Sequence, residues 1–136
     1  MLDLTKEDDN QELIFSWCRG HEARYPELKL LHHIPNEGFR TKAYAVALQK
    51  RGVKAGIPDM FLPVPRGRFH GLYIELKVGK NKPTEKQLWW LDQLTKQGYM
   101  AVVRYGFKAV IETIENYLEG EEHEGSIEDL KGRAGE

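Results

Sequence analysis

Two short apolar runs, residues 59–63 and 72–78, flank the stretch Val64-Pro65-Arg66-Gly67-Arg68-Phe69-His70-Gly71. The prolines and glycines of that stretch make a hairpin loop, so the two runs pair as antiparallel strands. A loop centred near Gly67 opposes residues whose numbers add to about 134, and Asp59 then lies across from Glu75. Directly opposed side chains have β-carbons about 4.5–5.5 Å apart, and like charges there repel. Two carboxylates so placed need a compensating cation. Glu75 and Lys77 are two residues apart on one strand and therefore share a face. The rest of that strand is apolar. The expectation is that its other face is buried while Asp59, Glu75 and Lys77 lie outside the core, on an adjoining cleft.

Helical and extended signals alternate around the hairpin. Thr5 and Asp8 have capping-box spacing, which predicts a first helix from there to about Ala23. Its apolar face is Leu13, Ile14, Trp17, Cys18 and His21. Residues 28–34 read as a strand ended by the turn-like Pro35-Asn36-Glu37-Gly38. Residues 41–50 read as a helix with Ala43, Val46, Ala47 and, as a further candidate, Leu48 inward, closed by Arg51-Gly52. Pro83-Thr84 opens a third helix that ends near Gly98, with Thr84 and Gln87 at capping-box spacing. A strand over 99–104 and a helix over 107–118 follow. The order is α-β-α-β-β-α-β-α. A strand, a helix and another strand make a right-handed crossover to a parallel neighbour, so the expected class is α/β, a central mixed sheet flanked by helices. From Glu119 the chain is acidic with little to bury, which predicts a tail without fixed structure after a folded domain of residues 1–118.

The net charge of −1 hides a strong asymmetry. Between Arg40 and Lys108 there are 14 Lys and Arg against four acids, while seven acids lie from Glu119 onward. A central segment with a surplus of ten positive charges suits a polyanionic partner. No stretch approaches the roughly 18 consecutive apolar residues of a membrane span, and the acidic N-terminus is unlike a signal peptide. A cytoplasmic location and no membrane partner are expected. The single cysteine, Cys18, excludes an intramolecular disulfide and a Cys-based zinc site. Its neighbours Ile14, Phe15 and Trp17 predict a plain buried thiol.

Oxygen ligands such as Asp59 and Glu75 favour a hard cation, Mg²⁺ or Mn²⁺, and a lysine beside them can stabilise charge developing on a phosphate. At these residues, Pro58-Asp59 followed by Glu75-Leu76-Lys77, the chain resembles the PD-(D/E)xK nuclease superfamily. The resemblance is closer to its VRR-NUC branch, in the short stand-alone form found in phages and prophages. Ile34-Pro35-Asn36 with Gly38 and Arg40, Gly52-Val53-Lys54-Ala55-Gly56-Ile57-Pro58-Asp59, Gly71-Leu72-Tyr73-Ile74-Glu75-Leu76-Lys77, Gln87 and Gly98-Tyr99 carry it. It covers about residues 5–118.

That resemblance implies a restriction-endonuclease-like core and metal-dependent hydrolysis of DNA phosphodiester bonds. It implies that Asp59, Glu75 and the backbone carbonyl of Leu76 hold Mg²⁺ or Mn²⁺, that Lys77 is catalytic, and that Gln87 faces the site from its helix. It also implies an acid from the first helix. Of Glu7 and Glu12, Glu7 lies about 50° from the centre of the apolar face and Glu12 almost opposite it, which favours Glu7, with Gln11 on the same side. Gln87 also serves as the capping partner of Thr84. Asn36, Arg40 and Lys54 are candidates for phosphate contacts, although Asn36 and Gly38 fit equally as turn formers. His32 and His33 fall on opposite strand faces and cannot share a metal. Trp89 and Trp90 read as core or interface residues. Together with Tyr99, Phe61 and Phe69 they exceed what one small core hides. The stand-alone members also look like junction resolvases, so a homodimer acting on duplex or branched DNA is expected. No nucleotide cofactor is implied. The rival readings are a DNA-binding module of the same fold that lacks catalysis, a structural protein with a basic face, and a ribonuclease.

Overall fold

The computed structural model describes residues 1–35 and 41–120. Over these the chain runs α1 (Glu7–Gly20), a 3₁₀ turn (Pro26–Leu30), β1 (His32–His33), α2 (Lys42–Lys50), β2 (Met60–Leu62), β3 (Leu72–Lys77), α3 (Glu85–Lys96), β4 (Met100–Tyr105) and α4 (Phe107–Glu119). The expected turn at 36–38, with Asn36 and Arg40, and the acidic tail beyond Gly120 lie outside the described residues. The four strands form one sheet in the order β1-β2-β3-β4. The first two pairings are antiparallel and the third, across α3, is parallel. This is the expected mixed α/β sheet.

Hairpin register follows the loop. Met60 pairs with Ile74, Phe61 with Tyr73 and Leu62 with Leu72, and one further step sets Asp59 opposite Glu75. The strand's two-residue period then assigns each face. Leu72, Ile74 and Leu76 join Ile14 and Cys18 of α1, Met100 and Val102 of β4, and Val110, Ile114 and Tyr117 of α4 in the main core. The other face packs Ala101 and Val103 against Leu91 of α3, with Tyr73, Leu88 and Leu94 around them. The domain is thus three layers, α1 and α4 on one side of the sheet and α3 on the other. Cys18 is buried in the main core, and burial pushes its thiol up to about 11.

Several local expectations fail for identifiable reasons. Thr5 does not cap α1, because its hydroxyl donates to Asp3 instead, and Lys6 occupies the cap position without a side-chain bond. The helix ends at Gly20 rather than Ala23, and its buried positions are Asn10, Ile14 and Cys18, with Leu13, Trp17 and His21 only half-buried. The strand expected over 28–34 is shortened to His32–His33, and residues 28–30 belong to the 3₁₀ turn instead. Pro26 at its first position presets helical φ, and the turn drives Leu28 into the core. In α2 no residue is buried. Ala43 and Val46 are exposed, and the half-buried face is Ala45, Ala47 and Leu48, so this helix lies at the periphery. Phe69 is core, whereas Trp89 is 57% exposed.

Candidate active site

Asp59 is held at its backbone carbonyl and at its carboxylate. Its carbonyl accepts from the Ile34 N–H at 2.7 Å and lies 2.9 Å from His33 Nδ1. Its Oδ2 accepts from the Leu76 N–H at 2.7 Å. The segment leading to it passes tightly against the start of α3. Gly56 has φ +92°, and a Cβ there would meet the Lys86 backbone carbon at 2.9 Å. Only glycine combines that backbone conformation with that approach.

Glu75 and Lys77 lie on the α3 face of β3. They are buried, at 2% and 8% exposure, which corrects the expectation that they sit outside the core: α3 packs over this face. Glu75 Oε2 accepts from Gln87 Nε2 at 3.1 Å and lies 3.4 Å from Lys77 Nζ. Among the described residues the buried Glu75 Oε1 has no hydrogen-bond donor, and the Asp59 and Glu75 carboxyls are within hydrogen-bonding reach of each other when one holds a proton. Gln87 is fixed in turn by the capping box, its Oε1 accepting from Thr84 N–H at 2.8 Å and its own N–H donating to Thr84 Oγ1 at 3.2 Å. Its amide therefore uses its oxygen to start α3 and its nitrogen to hold Glu75. One side chain thus both caps α3 and contacts Glu75.

The electrostatics are those of two carboxyls and one lysine in a poorly solvated place. Burial raises the Asp59 carboxyl above its ordinary range, opposed by the Leu76 N–H and the nearby Lys77 and His33. Glu75 is pushed up to about 9, by burial first and by Asp59 second, with Lys77 opposing. A divalent cation would reverse both shifts. The site fits one. Asp59 and Glu75 Oε1 are hard oxygen donors, and Mg²⁺ commonly takes one or two carboxylates and fills its remaining positions with water and phosphate. Along a strand, polar backbone groups alternate between edges. Lys77 O accepts from Gly106 N–H on the β4 side, so the carbonyl of Leu76 is directed toward Asp59. Among the described residues no group of three or more His, Cys, Asp and Glu could hold a metal ion by side chains alone, which leaves this mixed donor set as the candidate.

Beside Asp59 opens a cleft of about 200 Å³ lined by Glu7, Asp8, Gln11, His33, Asp59 and Leu76. Glu7 and Gln11 thus reach the site region, while Glu12 is exposed. Asp8 and His33 were not foreseen there. The strand alternation that separated His32 from His33 was the available signal for His33, but nothing local said which one faced Asp59. Asn10 was missed as well. It is buried, donates to the Leu4 and Lys6 carbonyls, and accepts from the Phe107 N–H at 3.0 Å. That bond caps α4, whose own N-cap, Gly106, has no side chain to do so. It also ties the first turn of α1 to the end of β3 through the Gly106–Lys77 bond. Lys54 is not brought into the cleft. It lines a separate cavity with Lys86, Trp89 and Trp90.

With this geometry, the family model for the VRR-NUC domain matches residues 5–108. The chain belongs to the VRR-NUC family. A solved structure described as a VRR_NUC domain protein is 34% identical, with a TM-score of 0.75, over 88% of this chain and 93% of that one. No curated protein matches the chain. The VRR-NUC fold is of the PD-(D/E)xK kind, a nuclease-type fold, and the mixed sheet with flanking helices is its expression here. The span matched by the VRR-NUC model takes in α1, the hairpin and Gln87. No helix among the described residues is long and apolar enough to cross a membrane.

Proposed function

We propose that this VRR-NUC domain is a Mg²⁺- or Mn²⁺-dependent endonuclease that hydrolyses DNA phosphodiester bonds and prefers branched substrates such as four-way junctions. One observation carries the reading: Asp59 and Glu75 are two carboxyls side by side in a poorly solvated place with one lysine between them, and among the described residues Glu75 Oε1 has no hydrogen-bond donor. Without a cation the pair is relieved only by holding a proton on Glu75, whereas a divalent cation shared with Asp59 would let both carboxyls ionise. A purely structural or non-catalytic DNA-binding chain gives no reason to retain the pair.

In this reading Asp59, Glu75 and the Leu76 carbonyl would hold the ion, and Glu7, which lines the cleft beside Asp59 without joining them in a three-acid group, would act on water near it. The bound ion supplies a lowered water pKa and charge stabilisation at the phosphate. Gln87 keeps the Glu75 carboxylate from rotating, and the Leu76 N–H does the same for Asp59. Lys77 neutralises charge that builds on the non-bridging phosphate oxygens. As the water oxygen bonds to phosphorus, one phosphorus–oxygen ester bond breaks and one product end keeps the phosphate. Lys54, Arg40, Asn36 and Gln11 contact DNA backbone or flanking nucleotides. The working unit is a homodimer. A half-exposed aromatic group supports it, Phe61 stacked on Tyr73 at 4.1 Å with Tyr99 edge-on to both. Incubation with duplex, flap, single-stranded and four-way-junction DNA plus Mn²⁺ tests the proposal. Cleavage that persists in EDTA, or its absence on every substrate, would refute it.

A further inference from the structure

The basic cavity that holds Lys54 shares no lining residue with the acidic cleft. Its volume is about 500 Å³ and its walls are Gln49, Val53, Lys54, Lys86, Trp89 and Trp90, with Ala55 at the base. Lys86 is three and four residues before Trp89 and Trp90, so all three project from adjoining positions of α3. Trp90 is anchored, its indole N–H donating to the Ala55 carbonyl at 3.0 Å, and it meets Trp89 edge-to-face at 5.3 Å. Trp89 lines the cavity and is 57% exposed. A second hollow bounded by Ala55, Gly56, Thr84, Glu85, Lys86 and Gln87 shares Ala55 and Lys86 with this cavity and reaches Gln87, whose amide holds Glu75.

We propose that this cavity is a subsite for an unpaired nucleotide next to the scissile bond. The inference rests on the nuclease reading and names how that site selects its substrate. An aromatic face takes any base by stacking, but only one whose own face is free, which excludes bases within a duplex. Two lysines at the wall suit the phosphates on either side, and the Gln49 amide is the polar group available to a base edge. A protein partner without acidic groups has no use for those lysines. The cavity volume lies within the range of small-ligand sites, large enough for one base and too small for a helix of DNA. The adjoining hollow that reaches Gln87 puts the next phosphate toward Glu75, so a branch or flap is held with its duplex junction at the cutting position.

The test uses the full chain and a flapped duplex with 2-aminopurine at the first unpaired position, bound in EDTA so that the readout does not depend on cleavage. Stacking on Trp89 quenches the probe. Wild-type protein should quench it, Trp89→Ala should not, and Trp89→Phe should restore most of the effect. The affinity ratio of flapped to fully paired duplex should fall roughly tenfold in Trp89→Ala, in line with alanine substitutions at stacked bases. An unquenched probe, or a ratio unchanged by Trp89→Ala, overturns the subsite. So does an unchanged ratio accompanied by altered self-association, which would make this face a protein contact. Quenching by wild-type protein that fails to cut with Mn²⁺ would sink the nuclease reading and leave the nucleotide subsite standing.

Discussion

Glu75→Gln removes a charge from the site while keeping its shape and an acceptor for Gln87 and Lys77. In the metal-free protein the Glu75 carboxyl is pushed from 4.5 up to about 9, by burial and then by Asp59. A pKa raised by folding means that the native state keeps a proton the unfolded chain releases. The stabilising contribution is then complete below about pH 4.5 and is lost as pH climbs toward 9. Inside that window each pH unit removes up to about 1.4 kcal/mol, so the step from pH 6 to pH 8 removes up to about 3 kcal/mol. For a domain of this size that is roughly 10 °C in Tm. Ligation demands the opposite protonation state, so stabilisation by Mn²⁺ should grow with pH and reach about 2.7 kcal/mol at a hundred times Kd. Thermal melts at pH 6, 7 and 8, in EDTA and in Mn²⁺, measure both effects. In EDTA the wild type should lose Tm with rising pH relative to Glu75→Gln, and Mn²⁺ should recover that loss only in the wild type. A wild-type-minus-variant difference that stays constant with pH, together with equal Mn²⁺ stabilisation of both proteins, would refute the electrostatic argument and the metal site.

Lys77→Met keeps the buried volume and removes the cation; Mn²⁺-supported cleavage should fall about 10²–10⁴-fold with the circular dichroism spectrum unchanged. DNA affinity should fall with salt at a log–log slope near −0.9 per phosphate neutralised, and charge reversal at Lys54 or Arg40 should weaken binding on all sequences alike, as read by fluorescence anisotropy. Asn10→Ala should cost about 1–3 kcal/mol in urea denaturation, because it leaves the Phe107 N–H inside the domain without an acceptor, and should lower kcat by loosening the helix that presents Glu7. Light scattering at micromolar concentration should give the mass of two chains, and a single-chain mass that persists with four-way-junction DNA would contradict the dimer.

The sequence alone determined those features whose physics is local. The Pro/Gly loop set the hairpin register and brought Asp59 opposite Glu75, because turn geometry and a two-residue period act over a few positions. Thr84 and Gln87 fixed the start of α3 for the same reason. Tertiary structure decided what depends on distant neighbours. Thr5 had the spacing of a cap but found Asp3 closer at hand. Residues 28–34 had strand-like composition, yet Pro26 and the pocket for Leu28 made the first three of them a turn. Burial of Glu75 and Lys77 required α3 to pack over their face, which no pattern within β3 reports. His33 reached Asp59, Asn10 capped a helix 97 residues away, and Trp89 stayed exposed beside Lys86. Each follows from which surfaces meet once the layers have stacked. A side chain's partners across that distance are chosen by packing, and packing is a property of the whole chain.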